Sequence, residues 1–72
     1  AKAAALYEDA LDAQADYRFQ AMANLLTQAV QLEPGFGLAY AKIGEAYFRL
    51  GKPAPARWAL LRADSLAARS LP

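Results

Sequence analysis

Residues 34–63 read PGFGLAYAKIGEAYFRLGKPAPARWALLRA. Within this stretch Tyr40, Ile43 and Tyr47 recur at helical spacing, so all three lie on one face of a helix. Gly44 lies beside them and, having no side chain, lets a second helix approach closely. The helix that follows carries an answering stripe of small and large side chains, Ala56, Leu60, Ala63 and Ala67. The stretch therefore predicts two antiparallel helices packed face to face.

Periodicity and stop signals predict an all-α chain of antiparallel helical hairpins. The expected helices span about residues 2–14, 16–32, 38–50 and 53–70. Pro34 and Gly35 mark the turn between the second and third helices, because proline cannot continue a helix and glycine accepts a left-handed backbone. Gly51 is a good residue to end the third helix, and Pro53 and Pro55 both fit the first turn of the fourth.

The break between the first two helices depends on a single residue. No glycine or proline occurs between Ala1 and Glu33, and Asp16 is the only plausible N-cap for a second helix. One continuous helix of about 30 residues is the alternative, and a hairpin opened in this way would favour domain swapping. The separate hairpin is the structure that we expect.

The tetratricopeptide repeat is a helix–turn–helix unit of about 34 residues that recurs in protein-binding solenoids. The chain resembles it in the spacing Tyr40-x-x-Ile43-Gly44-x-x-Tyr47, followed by Ala56-x-x-x-Leu60 and Ala63. Two such repeats, about 3–36 and 37–70, would form a single domain over residues 1–72, a solenoid fragment of about four helices. A shift of 34 residues aligns Leu26 with Leu60, whereas a shift of 36 aligns Tyr7 with Ile43. Both registers stay open at this point.

Length and composition exclude several classes of protein. A chain of this length buries only about 60% of its unfolded surface. It has no cysteine, and therefore no disulfide framework and no thiolate metal site. No apolar run approaches the roughly 20 residues that a membrane span needs, so we expect no membrane insertion.

The charges are divided unequally between the two halves. Residues 1–36 carry two basic and five acidic residues, a net charge of −3, and residues 37–72 carry six basic and two acidic residues, a net charge of +4. Solvated surfaces explain this most simply, but opposite charges also favour contact between copies or an acidic partner for the second half. The basic residues of the fourth helix are spread around it, so we expect no nucleic-acid partner.

Residues for catalysis are few. The chain has no histidine and no cysteine, and its only hydroxyl residues besides tyrosine are Thr27, Ser65 and Ser70, so a catalytic triad or thiol nucleophile cannot be assembled within it. Glu8 and Asp12 share a helix face, but nothing nearby adds the further oxygen ligands that calcium needs. We expect neither catalysis nor a cofactor.

The resemblance implies a binding groove, because the first helix of each tetratricopeptide pair lines a concave surface that takes extended or helical peptides. In the second repeat the groove residues would be Leu38, Ala41, Lys42, Glu45, Phe48 and Arg49, and Tyr7 and Leu11 are the candidates from the first repeat. The Lys/Asn carboxylate clamp of chaperone-binding family members is absent, since Lys42 alone does not make one. Phe48 either packs against a neighbouring helix or anchors a partner.

The fourth helix carries the candidate oligomer contacts. Trp58 shares a face with Arg62, and a stacked arginine would cover part of its indole. Leu61, Leu66 and Leu71 flank this helix with no third repeat to cover them, and stacked helix pairs are typically stable as three or more repeats. We therefore expect a homo-oligomer with Trp58 or these leucines at the contact, or a chain cut from a longer repeat protein.

Two functions follow from these observations. The first is a non-catalytic protein–protein interaction module or scaffold that binds a peptide or partner helix in the groove. The alternative is a structural self-assembly unit that oligomerises by repeat stacking or helix swapping.

Overall fold

The computed structural model describes residues 1–70, which form two antiparallel hairpins of helices with no strand in that range. The helices are α1 (Lys2–Ala15), α2 (Phe19–Leu32), α3 (Gly37–Arg49) and α4 (Pro53–Ser70). Each helix packs against the next in chain order, α1 on α2, α2 on α3 and α3 on α4. The all-α class is confirmed. The alternative of one continuous helix through residues 2–32 is wrong.

The turn between α1 and α2 is made by the backbone and not by a capping aspartate. Arg18 N–H donates to the Ala13 carbonyl at 2.9 Å and Tyr17 N–H to the Gln14 carbonyl at 3.0 Å, which are the two bonds of a Schellman motif. Tyr17 takes the left-handed conformation that this motif requires, with φ 61°. Asp16 ends α1, and α2 begins after Arg18 without a side-chain cap. The expectation that Asp16 is the N-cap of α2 is therefore wrong.

The turn between α3 and α4 repeats this geometry. Lys52 N–H donates to the Tyr47 carbonyl at 2.9 Å and Gly51 N–H to the Phe48 carbonyl at 3.0 Å, again a Schellman motif. Gly51 takes the left-handed position, with φ 73°. It follows Tyr17 by 34 residues, so the two hairpins correspond in the 34-residue register and not in the 36-residue one.

The large buried side chains belong to the two central helices. Met22 and Leu26 of α2 and Ile43 of α3 are fully buried, and Tyr40 of α3 is buried beside them. The outer helices contribute only alanines to the buried core, namely Ala3, Ala10 and Ala13 from α1 and Ala56 and Ala59 from α4. Because the hydrophobic stabilisation follows the apolar area buried, most of it comes from the α2–α3 pair.

The predicted stripe of α3 is confirmed. Tyr40 and Ile43 are buried, and half-buried Tyr47 packs against the same core. Gly44 is buried at the crossing with α4, where an added Cβ would lie 2.7 Å from Leu60 Cγ and 3.3 Å from the Ala56 carbonyl oxygen. The expectation that Gly44 is a packing glycine is also confirmed.

The stripe that α4 turns toward the core differs from the predicted one by a small rotation. The residues that face the core are Ala56, Ala59, Ala63 and Leu66. Leu60 and Ala67, which were expected there, are exposed. The rotation arises because Ala59 is small enough to face the centre of the core, whereas the Leu60 side chain lies at the edge, over Gly44.

Candidate functional site on the outward face of α3

The six residues predicted for the groove share the outward face of α3. Leu38, Phe48 and Arg49 are exposed, and Ala41, Lys42 and Glu45 are half-buried, on the side of the helix opposite Tyr40 and Ile43. Phe48 is 73% exposed and Leu38 67% exposed, so neither packs into the core of the chain. The helical wheel thus placed the face correctly, while binding at this face remains a prediction.

The half of this face that lies toward α1 is polar. Lys42 Nζ donates to Gln14 Oε1 at 3.3 Å and forms an ion pair with Glu45 Oε1 at 3.6 Å. Gln14 Nε2 in turn donates to Glu45 Oε2. Gln14 therefore ties α1 to α3. No sequence pattern indicates this role, because a lone glutamine near a helix end is typical of a solvated surface.

Arg49 lies at the other end of the polar half. Its guanidinium carbon lies 5.0 Å from the centroid of the Phe19 ring, at the start of α2. A cation over an aromatic face at this distance is attracted by the ring quadrupole. Arg49 is therefore held in place by the protein itself and presents an oriented, exposed positive charge at the C-terminal end of the outward face of α3.

The two candidates from α1 have different surroundings. Tyr7 is half-buried, packs against the core, and stacks on Phe36 with ring centroids 5.1 Å apart and planes tilted by 33°. Its ring therefore stabilises the meeting of the two hairpins. Leu11 is half-buried on the same helix. Phe36, the N-cap residue of α3, is the aromatic partner that sequence reasoning missed.

The half of the face that lies toward α4 is apolar. Leu38 and Ala41 line an open cleft of about 340 Å³ together with α4 residues near its C-terminal end. The other lining residues are Gly35, Gly37, Ala63, Asp64, Leu66 and Ala67. By helical spacing Phe48 lies on this same side of α3, two turns beyond Ala41. The outward face therefore joins a polar half to an apolar half.

The leucines predicted as oligomer contacts differ in their surroundings. Leu61 is 62% exposed, as expected for a residue that no helix covers. Leu66 is half-buried and packs against the core. Its Cβ lies 3.7 Å from the position that a Cβ at Gly37 would take. The expectation that Leu66 lacks a neighbour within the chain is wrong, because the rotation of α4 turns it inward. Leu71 lies outside the described residues.

Trp58 is 54% exposed, but its contact differs from the expected one. Its ring meets Tyr40 edge-on, with centroids 5.8 Å apart and planes at 72°. Arg62 covers the Tyr40 ring instead of the indole, with its guanidinium carbon 5.4 Å from that centroid. The expected stacking of an arginine on Trp58 is therefore replaced by a Trp58–Tyr40–Arg62 cluster. Trp58 helps to fix α4 against α3.

Neither a metal cluster nor a membrane span is found in the described part of the chain. Among residues 1–70 no three acidic residues come together where they would hold a metal ion. In the same range every helix is too short or too polar to cross a bilayer.

Comparison with known proteins identifies no relative: no family model, no curated protein and no solved structure matches this chain.

Proposed function

We propose that this chain is a non-catalytic protein–protein interaction module that binds a peptide or a partner helix along the outward face of α3. The observation that carries the proposal is the exposure of Phe48 and Leu38 on a helix whose opposite face is buried. Large apolar side chains that the fold does not use, next to oriented charges, are typical of contact surfaces. Arg49 supplies such a charge.

We also propose that the two hairpins are tetratricopeptide-like repeats. The repetition of the Schellman turn after 34 residues supports this, as does the close approach of α4 to Gly44. In this proposal α1 and α3 are the first helices of the two repeats and line a common groove. The Gln14–Lys42–Glu45 contacts lie across that groove and set its width.

The groove residues indicate the chemistry of a partner. Lys42 and Glu45 neutralise each other, so the oriented Arg49 is the main charge that a partner would meet. Leu38, Ala41 and Phe48 offer apolar contacts beside it. The fitting partner is a segment with apolar side chains at helical or extended spacing and a carboxylate near the position of Arg49.

Selection from a library of displayed random peptides tests this function. The selected peptides should lose about 5- to 30-fold in affinity for Phe48→Ala and for Arg49→Ala, as anchor residues do, with no change in helicity. Isothermal titration measures the affinity and circular dichroism the helicity. Lys2→Ala, a surface change on α1 away from the groove, is the matched control. Peptides that bind both groove variants as tightly as the parent would contradict the proposal.

A second candidate is self-assembly, and one observation favours it. Leu60 and Leu61 of α4 are 47% and 62% exposed, next to the apolar half of the α3 face. Exposed apolar side chains that lie together are typical of surfaces that associate, and this supports the second candidate.

A further inference from the structure

One side of α4 carries two exposed leucines between charges of opposite sign. Arg57, Leu60, Leu61 and Asp64 lie within one side of the helix by their spacing of three, four and seven residues, and all four are exposed. We call this row the α4 seam. No helix among the described residues of the chain covers this seam, since α4 is the last of the four helices and α3 packs on its other side.

The α2 positions that correspond to the α4 seam in the first hairpin are covered by other helices. The residues of α2 that precede Arg57, Leu60 and Asp64 by 34 positions are Ala23, Leu26 and Val30, and all three are buried. Thr27, which precedes Leu61 by 34 positions, is half-buried. These residues belong to a helix that packs against α1 and also against α3, whereas α4 has only α3 as a main neighbour. The α4 seam therefore occupies the place on which a further helix docks in the first hairpin.

The α1 helix of a second copy is a poor occupant for this place. In the 34-residue register Asp9 and Asp12 of α1 stand where α3 has Ile43 and Ala46, both of which are buried. Setting these carboxylates over Leu60 and Leu61 would remove charge from water without burying apolar surface. Head-to-tail stacking of copies is disfavoured for this reason.

The geometry points to a different occupant, the α4 seam of a second copy, related by a two-fold axis. Suppose that two α4 helices run antiparallel and cross between Leu60 and Leu61. Each residue before the crossing point then faces the residue of the other copy that lies equally far beyond it. Arg57 then faces Asp64 of the second copy, and Asp64 faces its Arg57, so both charge pairs are complementary. The four leucines are buried between them. This assignment rests on the self-assembly candidate and specifies its surface and symmetry.

The apolar half of the α3 face extends the same complementarity. Gly44 lies against Ala56 and Leu60, so Phe48, one turn further along α3, lies level with the start of α4. The cleft lined by Leu38, Ala41 and Ala67 lies at the opposite end of α4. A two-fold axis between Leu60 and Leu61 exchanges these ends and brings Phe48 of each copy toward the cleft of the other.

Sedimentation equilibrium on the full chain over a concentration series tests the symmetry. The mass should rise from 7.8 kDa and level off at twice that value, because a two-fold interface closes on itself. A mass that stays at one chain at high micromolar concentration overturns the proposal. A mass that continues to rise beyond two chains also overturns it, since head-to-tail contacts do not close.

Charge exchange tests the surface. Arg57→Asp or Asp64→Arg alone places like charges opposite each other and should weaken the dimer about tenfold or more. In an equal mixture of the two variants, each mixed dimer again sets an aspartate against an arginine at both contacts. Mixing should therefore restore the parent affinity within about threefold. The double exchange in one chain should do the same.

The control for charge exchange is Arg69→Asp, a reversal on the same helix away from the seam, which should leave the dimer unchanged. A dimer that ignores the single exchanges, or that mixing fails to restore, places the interface elsewhere and overturns the proposal. Phe48 takes part in both proposals, but Arg49 belongs to the peptide-binding test alone and Arg57 and Asp64 to the dimer test alone. Failure of the dimer therefore leaves the Arg49 result standing, and the reverse also holds.

Discussion

Gly44 shows how one missing side chain sets the distance between two helices. The Leu60 side chain fills the space above it, and the Ala56 carbonyl lies nearby at 3.3 Å from the position of a Cβ. Leu60 is half-exposed and can move, whereas the α4 backbone cannot move without disturbing Ala56 and Ala59. A small side chain and a large side chain at position 44 should therefore affect the free energy of unfolding differently.

We predict that Gly44→Leu lowers the free energy of unfolding by about 1–3 kcal/mol through overpacking. Gly44→Ala should be close to neutral, because the gain in helix propensity of about 1 kcal/mol offsets the crowding of Leu60. Urea denaturation followed by circular dichroism measures both. Gly35→Ala, where an added Cβ meets nothing within 4 Å, is the control. Equal stability of Gly44→Leu and the parent would show that α4 does not cross α3 here.

Tyr17 and Gly51 occupy equivalent left-handed positions, with φ 61° and 73°. A non-glycine residue in this conformation costs about 1–2 kcal/mol. Tyr17 offsets part of that cost through its ring contact with Phe19, at 6.1 Å between centroids. The first turn is therefore strained where the second is not.

We predict that Tyr17→Gly is more stable than Tyr17→Ala by about 1 kcal/mol, the reverse of the order within a helix. Gly51→Ala should destabilise by about the same amount, although an added Cβ meets nothing within 4 Å there, because the penalty is in the backbone alone. Thermal denaturation of the three variants checks the order. An alanine variant at position 17 as stable as the glycine one would show that the backbone there is not left-handed.

At the scale of the helix, the sequence predicts where helices lie better than how they are joined. The ends of α3 and α4 fall within one residue of expectation, because proline, glycine and apolar spacing mark them. The ends of α1 also do so, although no proline or glycine lies near them. The sequence predicts the break before α2 correctly, but it attributes the break to a capping Asp16 and not to the left-handed turn at Tyr17. A tyrosine in a left-handed turn leaves no compositional signal, so sequence reasoning assigns the role of cap to Asp16, the only polar candidate.

The same contrast holds for the candidate site. The outward face of α3 follows from the helical wheel alone, since Tyr40 and Ile43 fix its opposite side. The contacts across helices do not follow, because a wheel shows which side of a helix is apolar but not which neighbour covers each flank. For this reason the wheel assigns Leu66 to the surface and places Arg62 on Trp58 instead of Tyr40.

At the scale of the molecule, the four helices form a thin slab with extents of 37 × 30 × 17 Å. Its smallest dimension is less than two helix diameters. Helices that pack mainly against their neighbours in sequence leave broad faces open on both sides of such a slab. This architecture leaves both the outward face of α3 and the α4 seam of a 72-residue chain exposed for the contacts that we propose.

The buried residues of the two outer helices are all alanines, which has a consequence for local opening. Detaching α1 exposes three buried alanines and the half-buried Tyr7, whereas separating α2 from α3 exposes the fully buried Met22, Leu26 and Ile43. Regions with little buried apolar area open with lower free energy than the whole molecule.

We therefore expect the amide hydrogens in the middle of α1 to exchange with deuterium at least about tenfold faster than those of α2 and α3. Ala10→Gly should accelerate exchange in α1 alone, while Leu26→Ala should accelerate it throughout the chain. Uniform protection in all four helices would show that the chain opens only as a single cooperative unit. The expected order, with α1 exchanging before α2 and α3, would instead show that the central pair of helices is the last part of the protein to expose its backbone amides to water.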